Sequence, residues 1–251
     1  MARPDFRTQR LFLDADLKAG AEIPLGRDQA NYVRNVLRLS AGAPVLVFNG
    51  RDGEWRTALQ DAGRRAVSLS VQSQTRAQTA PGELAYAFAP LKHARLDYMV
   101  QKAVEMGAAS LTPVITRHTQ VARVNLERMR ANVIEAAEQC GVLSIPPVHE
   151  PQPFERWLMA LPPDATLIFC DEAAEIADPV EALRAAPDTP LVLLLGPEGG
   201  FEEAERRALI ARNRVVRLSL GPRILRADTA AVAALALVQA VRGDWRQARR
   251  T

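Results

Sequence analysis

Apolar positions recur along this chain with two different rhythms, and a polar stretch separates them. Up to Val71 the apolar runs are short. Arg10-Leu11-Phe12-Leu13, Glu22 to Leu25, Pro44 to Phe48, Glu54 to Leu59 and Ala66 to Val71 read as strands. Asn49-Gly50 reads as the turn after the third of them. Asp28 to Leu39, apolar at Tyr32, Val33, Val36, Leu37 and Leu39, fits one short helix. Gln72 to Gly82 (QSQTRAQTAPG) is polar and ends in Pro and Gly, which marks a linker. The expected organisation is a small β-rich domain over residues 1–75, a linker over 76–82 and a second domain over 83–251.

In the second domain strands alternate with helices. Leu84 to Ala89, Leu111 to Ile115 and Thr166 to Cys170 read as strands. Arg95 to Met106, Val124 to Cys140 and Asp178 to Ala185 read as helices, the first two ended by Gly107 and Gly141. This alternation predicts an α/β fold with a parallel sheet covered on both faces.

The last quarter, Leu191 to Asp244, carries the most information. Leu191 to Leu195 is wholly apolar, fit for a strand buried on both faces, and it stops at Gly196-Pro197-Glu198-Gly199-Gly200. A helix follows with Glu202, Glu203 and Glu205 in its first turns, where the helix dipole favours negative charge. A second strand, Val215 to Leu220, stops at Gly221-Pro222. Ile224-Leu225-Arg226-Ala227-Asp228-Thr229 then lead into an Ala-rich apolar helix reaching Val241. In a parallel sheet the carboxyl ends of strands share an edge, where α/β proteins bind ligands. Glycines there leave backbone groups for a ligand to meet.

Composition narrows the class. With 251 residues, 48% of them apolar, the chain can build one large or two ordinary domains around a real core. No apolar run reaches the ~18 residues that span a bilayer. The opening MARPDFRTQR lacks the apolar segment of a signal peptide, so a cytoplasmic protein is expected. Cys140 and Cys170 lie far apart and read as buried small apolar residues rather than a disulfide framework. His93, His118 and His149 have no metal-ligand spacing, and no metal is expected.

Net charge is only +3, but it is unevenly spread. Residues 1–76 hold twelve basic against eight acidic side chains, and the remainder twenty against twenty-one. Nearly all the basic residues are Arg, the better fork for phosphate. Arg3, Arg7, Arg10, Arg34 and Arg38 group in or near the first strand and helix, which suits a polyanion partner. A codon bias towards Arg, or a solvated charged face, is the plainer account.

The glycine-rich bend is neither a Walker A loop, since no Gly-Lys-Ser/Thr follows, nor GxGxxG. Glu198 within it either caps the following amides or faces a cationic ligand. At the second bend, Asp228 or Thr229 is placed to cap the last helix, and a bond from Arg226 to Glu198 would hold the two loops together. Lys92 and Arg95, with Gln101-Lys102 and Glu105-Met106-Gly107, put basic side chains at another strand end, where a solvated helix face is the default. Gln139, in Glu135 to Gln139, enters an expected packed helix end.

Together these motifs resemble the bacterial small-subunit ribosomal RNA methyltransferase E family, within the SPOUT superfamily of knotted methyltransferases. The strongest pieces are Leu194-Leu195-Gly196-Pro197-Glu198-Gly199-Gly200-Phe201 and Leu220-Gly221-Pro222-Arg223-Ile224-Leu225-Arg226. Val36-Leu37-Arg38, Gln101 through Gly107 and Glu135 through Gln139 add to them. The resemblance runs almost end to end. It implies an N-terminal PUA-like RNA-binding β-barrel, a C-terminal SPOUT-type parallel sheet with a trefoil knot, and a homodimer. Spacing alone would not have suggested a knot. The chain departs from the family pattern at Asn31 (often His), Val142 (often Arg) and Asp228 (usually Glu).

The activity so implied is methyl transfer from S-adenosylmethionine to N3 of a uridine in 16S ribosomal RNA of the small subunit. Arg226 is the candidate for stabilising charge on the uracil carbonyl oxygens, with Glu198 or Asp228 orienting it or helping to remove the proton. The cofactor is expected against Cys170, Asp171, Leu195, Gly196, Gly199, Gly200, Leu218, Leu220, Gly221, Ile224 and Leu225. Phosphate contacts are expected from Arg7, Arg10, Arg34, Arg38, Lys92, Arg95 and Arg223. Two rivals remain: an RNA-binding protein with a non-catalytic cofactor pocket, and an α/β enzyme binding a nucleotide phosphate at the glycine-rich bends. The missing Lys argues against the second.

Overall fold

The short apolar runs of the front of the chain become a curled mixed sheet. In the computed structural model, which describes residues 7–61, 67–121, 123–174 and 178–249, its strands are β1 (Arg10–Phe12), β2 (Glu22–Pro24), β3 (Pro44–Phe48), β4 (Glu54–Asp61) and β5 (Val67–Arg76). Their order is β1-β3-β4-β5-β2; β1 runs parallel to β3 and the other pairs are antiparallel. Register shifts between Glu54 and Trp55 and between Arg56 and Thr57 bend the β4–β5 ladder, as bulges do. The inner face buries Leu11, Val45, Val47, Leu59, Leu69 and Val71 around Val33. Val33 lies in the π-helical turn Tyr32–Val36 that continues helix α1 (Arg27–Asn31). Arg3 and Ala66 lie outside the described residues.

β5 runs to Arg76, five residues beyond the end expected at Val71. Side-chain bonds rather than apolar burial hold its polar end. Thr75 Oγ1 and Arg76 Nε donate to one oxygen of Glu54 at 2.8 and 3.0 Å, and Arg76 Nη2 to the other at 2.6 Å. Arg10 Nε completes the set at 2.7 Å. The segment Ala137–Ile145 belongs to this same compact unit. There Arg10 and Arg76 each donate to a carbonyl, Glu138 and Gly141, at 3.0 Å, and the Phe12 amide donates to the Glu138 carboxylate at 2.8 Å.

The second unit, Pro81–Ala136 with the chain from Pro146 onward, holds a six-stranded sheet in which every pairing is parallel. Its strands are β6 (Leu84–Phe88), β7 (Ser110–Ile115), β8 (Gln152–Pro153), β9 (Thr166–Cys170), β10 (Leu191–Leu195) and β11 (Val215–Leu218), in the order β11-β9-β10-β6-β7-β8. The helices are α2 (His93–Glu105), α3 (Leu126–Cys140, whose residues from Ala137 belong to the first unit), α4 (Phe154–Ala160), α5 (Pro179–Ala185), α6 (Glu203–Ile210) and α7 (Ala227–Val241), followed by a 3-10 turn, Asp244–Arg249. β10 is buried at all five residues, as a central parallel strand covered on both faces should be. One face packs Leu167, Phe169, Val192 and Leu194 against Phe154, Trp157 and Leu209.

Short α4 and β8 were not expected from sequence. Proline-flanked and only seven residues long, α4 offers no readable period, yet it buries Phe154 and Trp157. The registers Leu191↔Thr166 and Val215↔Leu167 bring the carboxyl ends of β9, β10 and β11 to one edge.

Candidate active site

At that edge both glycine-proline bends and the end of β9 wall one cavity of ≈ 550 Å³, within the usual range for small-ligand sites. Cys170, Asp171, Leu195, Gly196, Gly200, Leu218, Leu220, Gly221, Ile224 and Leu225, ten of the expected cofactor contacts, line it. Gly199 is not among the lining residues; it faces His118, whose Cβ would lie 3.4 Å from a Cβ placed there. Ile224 is 97% exposed and offers the cavity little apolar wall. β11 ends at Leu218, two residues earlier than expected, which releases Ser219 and Leu220 to line the cavity.

The first bend is held from several sides. A Cβ on Gly196 would meet the Phe201 ring at 2.8 Å, so only glycine fits there without moving that ring. Phe201 is itself fixed edge-on to Phe169, with ring centroids 6.0 Å apart. Gly200 has φ +71, a left-handed conformation suited to glycine, and its carbonyl meets His118 Nδ1 at 3.1 Å. Glu202 and Glu205 form a capping box at the start of α6. Buried Glu205 also accepts from the Arg117 amide at 2.8 Å.

Asp171 lines the cavity, but its carboxylate is already engaged. It accepts from Arg217 at 2.7 Å, from Arg206 twice at 3.2 Å and from the Ala173 amide at 3.1 Å. Burial alone would raise this carboxyl, but the Arg206 and Arg217 bonds outweigh it and hold it below the usual carboxylate range. Burial pushes the Cys170 thiol up to about 12, so the thiol stays neutral.

The arginine between the two bends is not the one expected. Glu198 and Asp228 both bind Arg95: Nε and Nη2 reach the two Asp228 oxygens at 3.1 Å, and Nη1 reaches Glu198. Arg226, expected to pair with Glu198 or Asp228, is exposed at the N-cap of α7, between lining residues Leu225 and Ala227. The Arg95 guanidinium lowers the Asp228 carboxyl below its ordinary range. α2 begins at His93, and its first turn carries Arg95 to the two bends.

The expected phosphate contacts divide as well. Arg10 is a correction: its side chain is 3% exposed and ion-paired to a Glu54 that is 2% exposed, so it is closed to an outside phosphate. Arg95 is partly exposed and already bound to Glu198 and Asp228. Arg7, Arg38, Lys92 and Arg223 are exposed, and Arg34 is half-buried. Gln139, expected in a packed end, is exposed, whereas its neighbour Glu138 makes the contacts. Sequence reasoning missed Glu172, Arg206 and Ser219 as lining residues. Glu172 was detectable as the second acid after β9; nothing local pointed to Arg206.

Among the described residues, no helix is long and apolar enough to cross a membrane, and no group of three or more His, Cys, Asp or Glu is placed to hold a metal.

Comparison with known proteins fits this architecture. Residues 78–239 match the RNA methyltransferase domain family, and residues 25–72 the RNA methyltransferase PUA domain. Ribosomal RNA small subunit methyltransferase E of Synechocystis is 31% identical over 225 residues, 88% of this chain and 74% of that protein. Its counterpart in Rickettsia conorii is 29% identical over 232 residues, 92% of this chain and 94% of that one. The crystal structure of the enzyme of the same name from Neisseria gonorrhoeae, bound to S-adenosyl methionine, aligns with a TM-score of 0.83 at 27% identity. That alignment covers 95% of this chain and 100% of the other. Fold and matches together define an RNA methyltransferase with a PUA domain. The chain belongs to the ribosomal RNA small subunit methyltransferase E family.

Proposed function

We propose that this protein methylates N3 of a uridine in 16S ribosomal RNA, using S-adenosylmethionine. The observation that carries the reading is the convergence of both glycine-proline bends on one cavity at the carboxyl edge of the parallel sheet. The lining fits the cofactor chemically. Leu195, Leu218, Leu220 and Leu225 suit a flat heterocycle, and Glu172 and Glu203 suit a sulfonium and an ammonium group. When bound, the cofactor supplies an electrophilic methyl group on positively charged sulfur.

The chain's own residues supply the rest. N3 lies on the Watson–Crick edge, so the base must be unpaired or flipped out to be reached. Its imide proton must pass to water before the lone pair is available. Arg226, exposed beside the cavity at the positive end of α7, stabilises the charge that then spreads to the uracil carbonyl oxygens. Arg7, Arg38, Lys92 and Arg223 are the exposed candidates for phosphate contact, and the PUA domain match supports RNA binding by the first unit. The family resemblance extends the proposal to a homodimer and to a trefoil knot around the cavity.

Methylation of 30S particles and of naked 16S RNA, with the product base mapped, tests the reading. Calorimetry with S-adenosylmethionine is the companion measurement. Methyl found on N3 of one uridine supports the proposal; cofactor binding without transfer to either substrate would favour a non-catalytic RNA-binding protein.

A further inference from the structure

Beside the cavity one guanidinium joins three parts of the chain that are distant in sequence. Arg95 bonds Glu198 and Asp228, 103 and 133 residues further along the chain, with two 3.1 Å contacts to Asp228 and one contact to Glu198. Glu198 lies in the first bend and lines the cavity; Asp228 stands in the first turn of α7, directly after the second bend. An isolated exposed ion pair would mean little. Here the bond to Asp228 is a two-pronged fork, which fixes orientation as well as distance. The three side chains are only partly exposed, 32% for Arg95, 41% for Glu198 and 21% for Asp228. Three of its five N–H groups are committed inside the unit, and two carboxylates already balance its charge.

We propose that Arg95 is a positioning residue that fastens the two glycine-proline bends around the cavity, rather than a contact for RNA phosphate. This rests on the cofactor reading above. Without the fastening the bends sample open arrangements, and apparent affinity falls in proportion to the fraction still closed. The effect belongs to cofactor binding by the protein alone, before any RNA is present.

The test is calorimetric titration of S-adenosylmethionine into the full chain, without RNA, alongside thermal melts. Wild type, Arg95→Met, Arg95→Lys, Glu198→Gln and the double variant R95M/E198Q are compared. No binding by wild type would sink the cofactor reading itself. Given wild-type binding, R95M is expected to bind about tenfold more weakly or worse, as for a closed fraction of about a tenth, with little change in melting temperature. R95K should fall between, because lysine carries a point charge without a fork. The double variant should bind no more weakly than R95M, because both changes break one fastening. Wild-type affinity in R95M, or penalties that simply add in the double variant, would overturn the proposal. If R95M does not fold, R95K carries the test, and wild-type affinity in R95K would count against the fastening.

Discussion

Replacing Glu54 by Gln probes the first unit at a carboxylate only 2% exposed. Four donors converge on this carboxylate: Thr75 Oγ1 and Arg76 Nε on one oxygen, Arg10 Nε and Arg76 Nη2 on the other. Gln keeps the shape but turns one oxygen into an NH2 group. With the NH2 group at the second oxygen, Arg10 Nε and Arg76 Nη2 both face a donor; with it at the first, Arg76 Nε does, while the Thr75 hydroxyl can turn to the Glu54 carbonyl, 3.1 Å away. Arg10, with a side chain only 3% exposed, loses its ion pair with Glu54. Breaking a buried pair from one side costs about 3–5 kcal/mol, a large share of the ~5–15 kcal/mol that holds an ordinary domain.

Urea titration of the full chain, followed by tryptophan fluorescence, reads the change; Trp55 lies on β4 beside Glu54. Asp16→Asn is the control, because its pair with Arg51 is open to solvent, with Asp16 92% exposed, and its midpoint should not move. The pH dependence has a defined sign. Burial would raise the Glu54 carboxyl, but its bonds to Arg76, Arg10 and Thr75 prevail and lower it. A depressed folded value means the stabilisation is complete above the unfolded glutamate pKa, about 4.3, and is lost as pH falls through the folded value. Glu54→Gln should therefore cost most at neutral pH and progressively less in acid. An E54Q midpoint no lower than that of the Asp16 control would refute the argument that this network is closed to water.

Three further outcomes follow from the second unit. Arg226→Ala should abolish methyl transfer while calorimetry still shows S-adenosylmethionine binding; wild-type turnover would remove Arg226 from the mechanism. Gly196→Ala should weaken cofactor binding, because the added Cβ would sit 2.8 Å from the Phe201 ring and must displace it; unchanged binding would mean the ring yields freely. Gln239→Leu should lower stability by about 1–3 kcal/mol, the cost of leaving buried polar groups unpaired, since Gln239 donates to the Met106 and Gly107 carbonyls at 2.7 and 3.1 Å and accepts from the Asp244 amide at 3.1 Å. A thermal melt indistinguishable from wild type would contradict that.

What the sequence made legible was backbone, and what it hid was pairing. Leu191–Leu195 could be read to the residue because a strand buried on both faces has no polar position to blur its ends. The bends at Gly196 and Gly221 could be read because glycine and proline restrict the chain locally. By contrast Arg95 finds Glu198 and Asp228 across 103 and 133 residues, and Glu54 finds Arg10 across 44, with no local signal at either end. The same limit explains the misjudged end of β5. Its last residues are polar and read as linker, yet their partners lie on Glu54, at the start of β4.

Arginine shows why that limit matters for function. Its planar fork fits an internal carboxylate as well as an external phosphate, so a count of arginines overstates the surface available to RNA. In this chain Arg10 and Arg76 are turned onto Glu54, Arg206 and Arg217 onto Asp171, Arg95 onto Glu198 and Asp228, and Arg242 onto Asp188 and the carbonyls of Ala186 and Pro187. These six organise the protein. Each buried or half-buried guanidinium also consumes acidic charge, so net charge is nearly unchanged by how many such pairs exist. The electrostatic case for an RNA partner therefore rests on position rather than number, on exposed residues such as Arg38 and Arg223. Arg223 is exposed and lines the cavity.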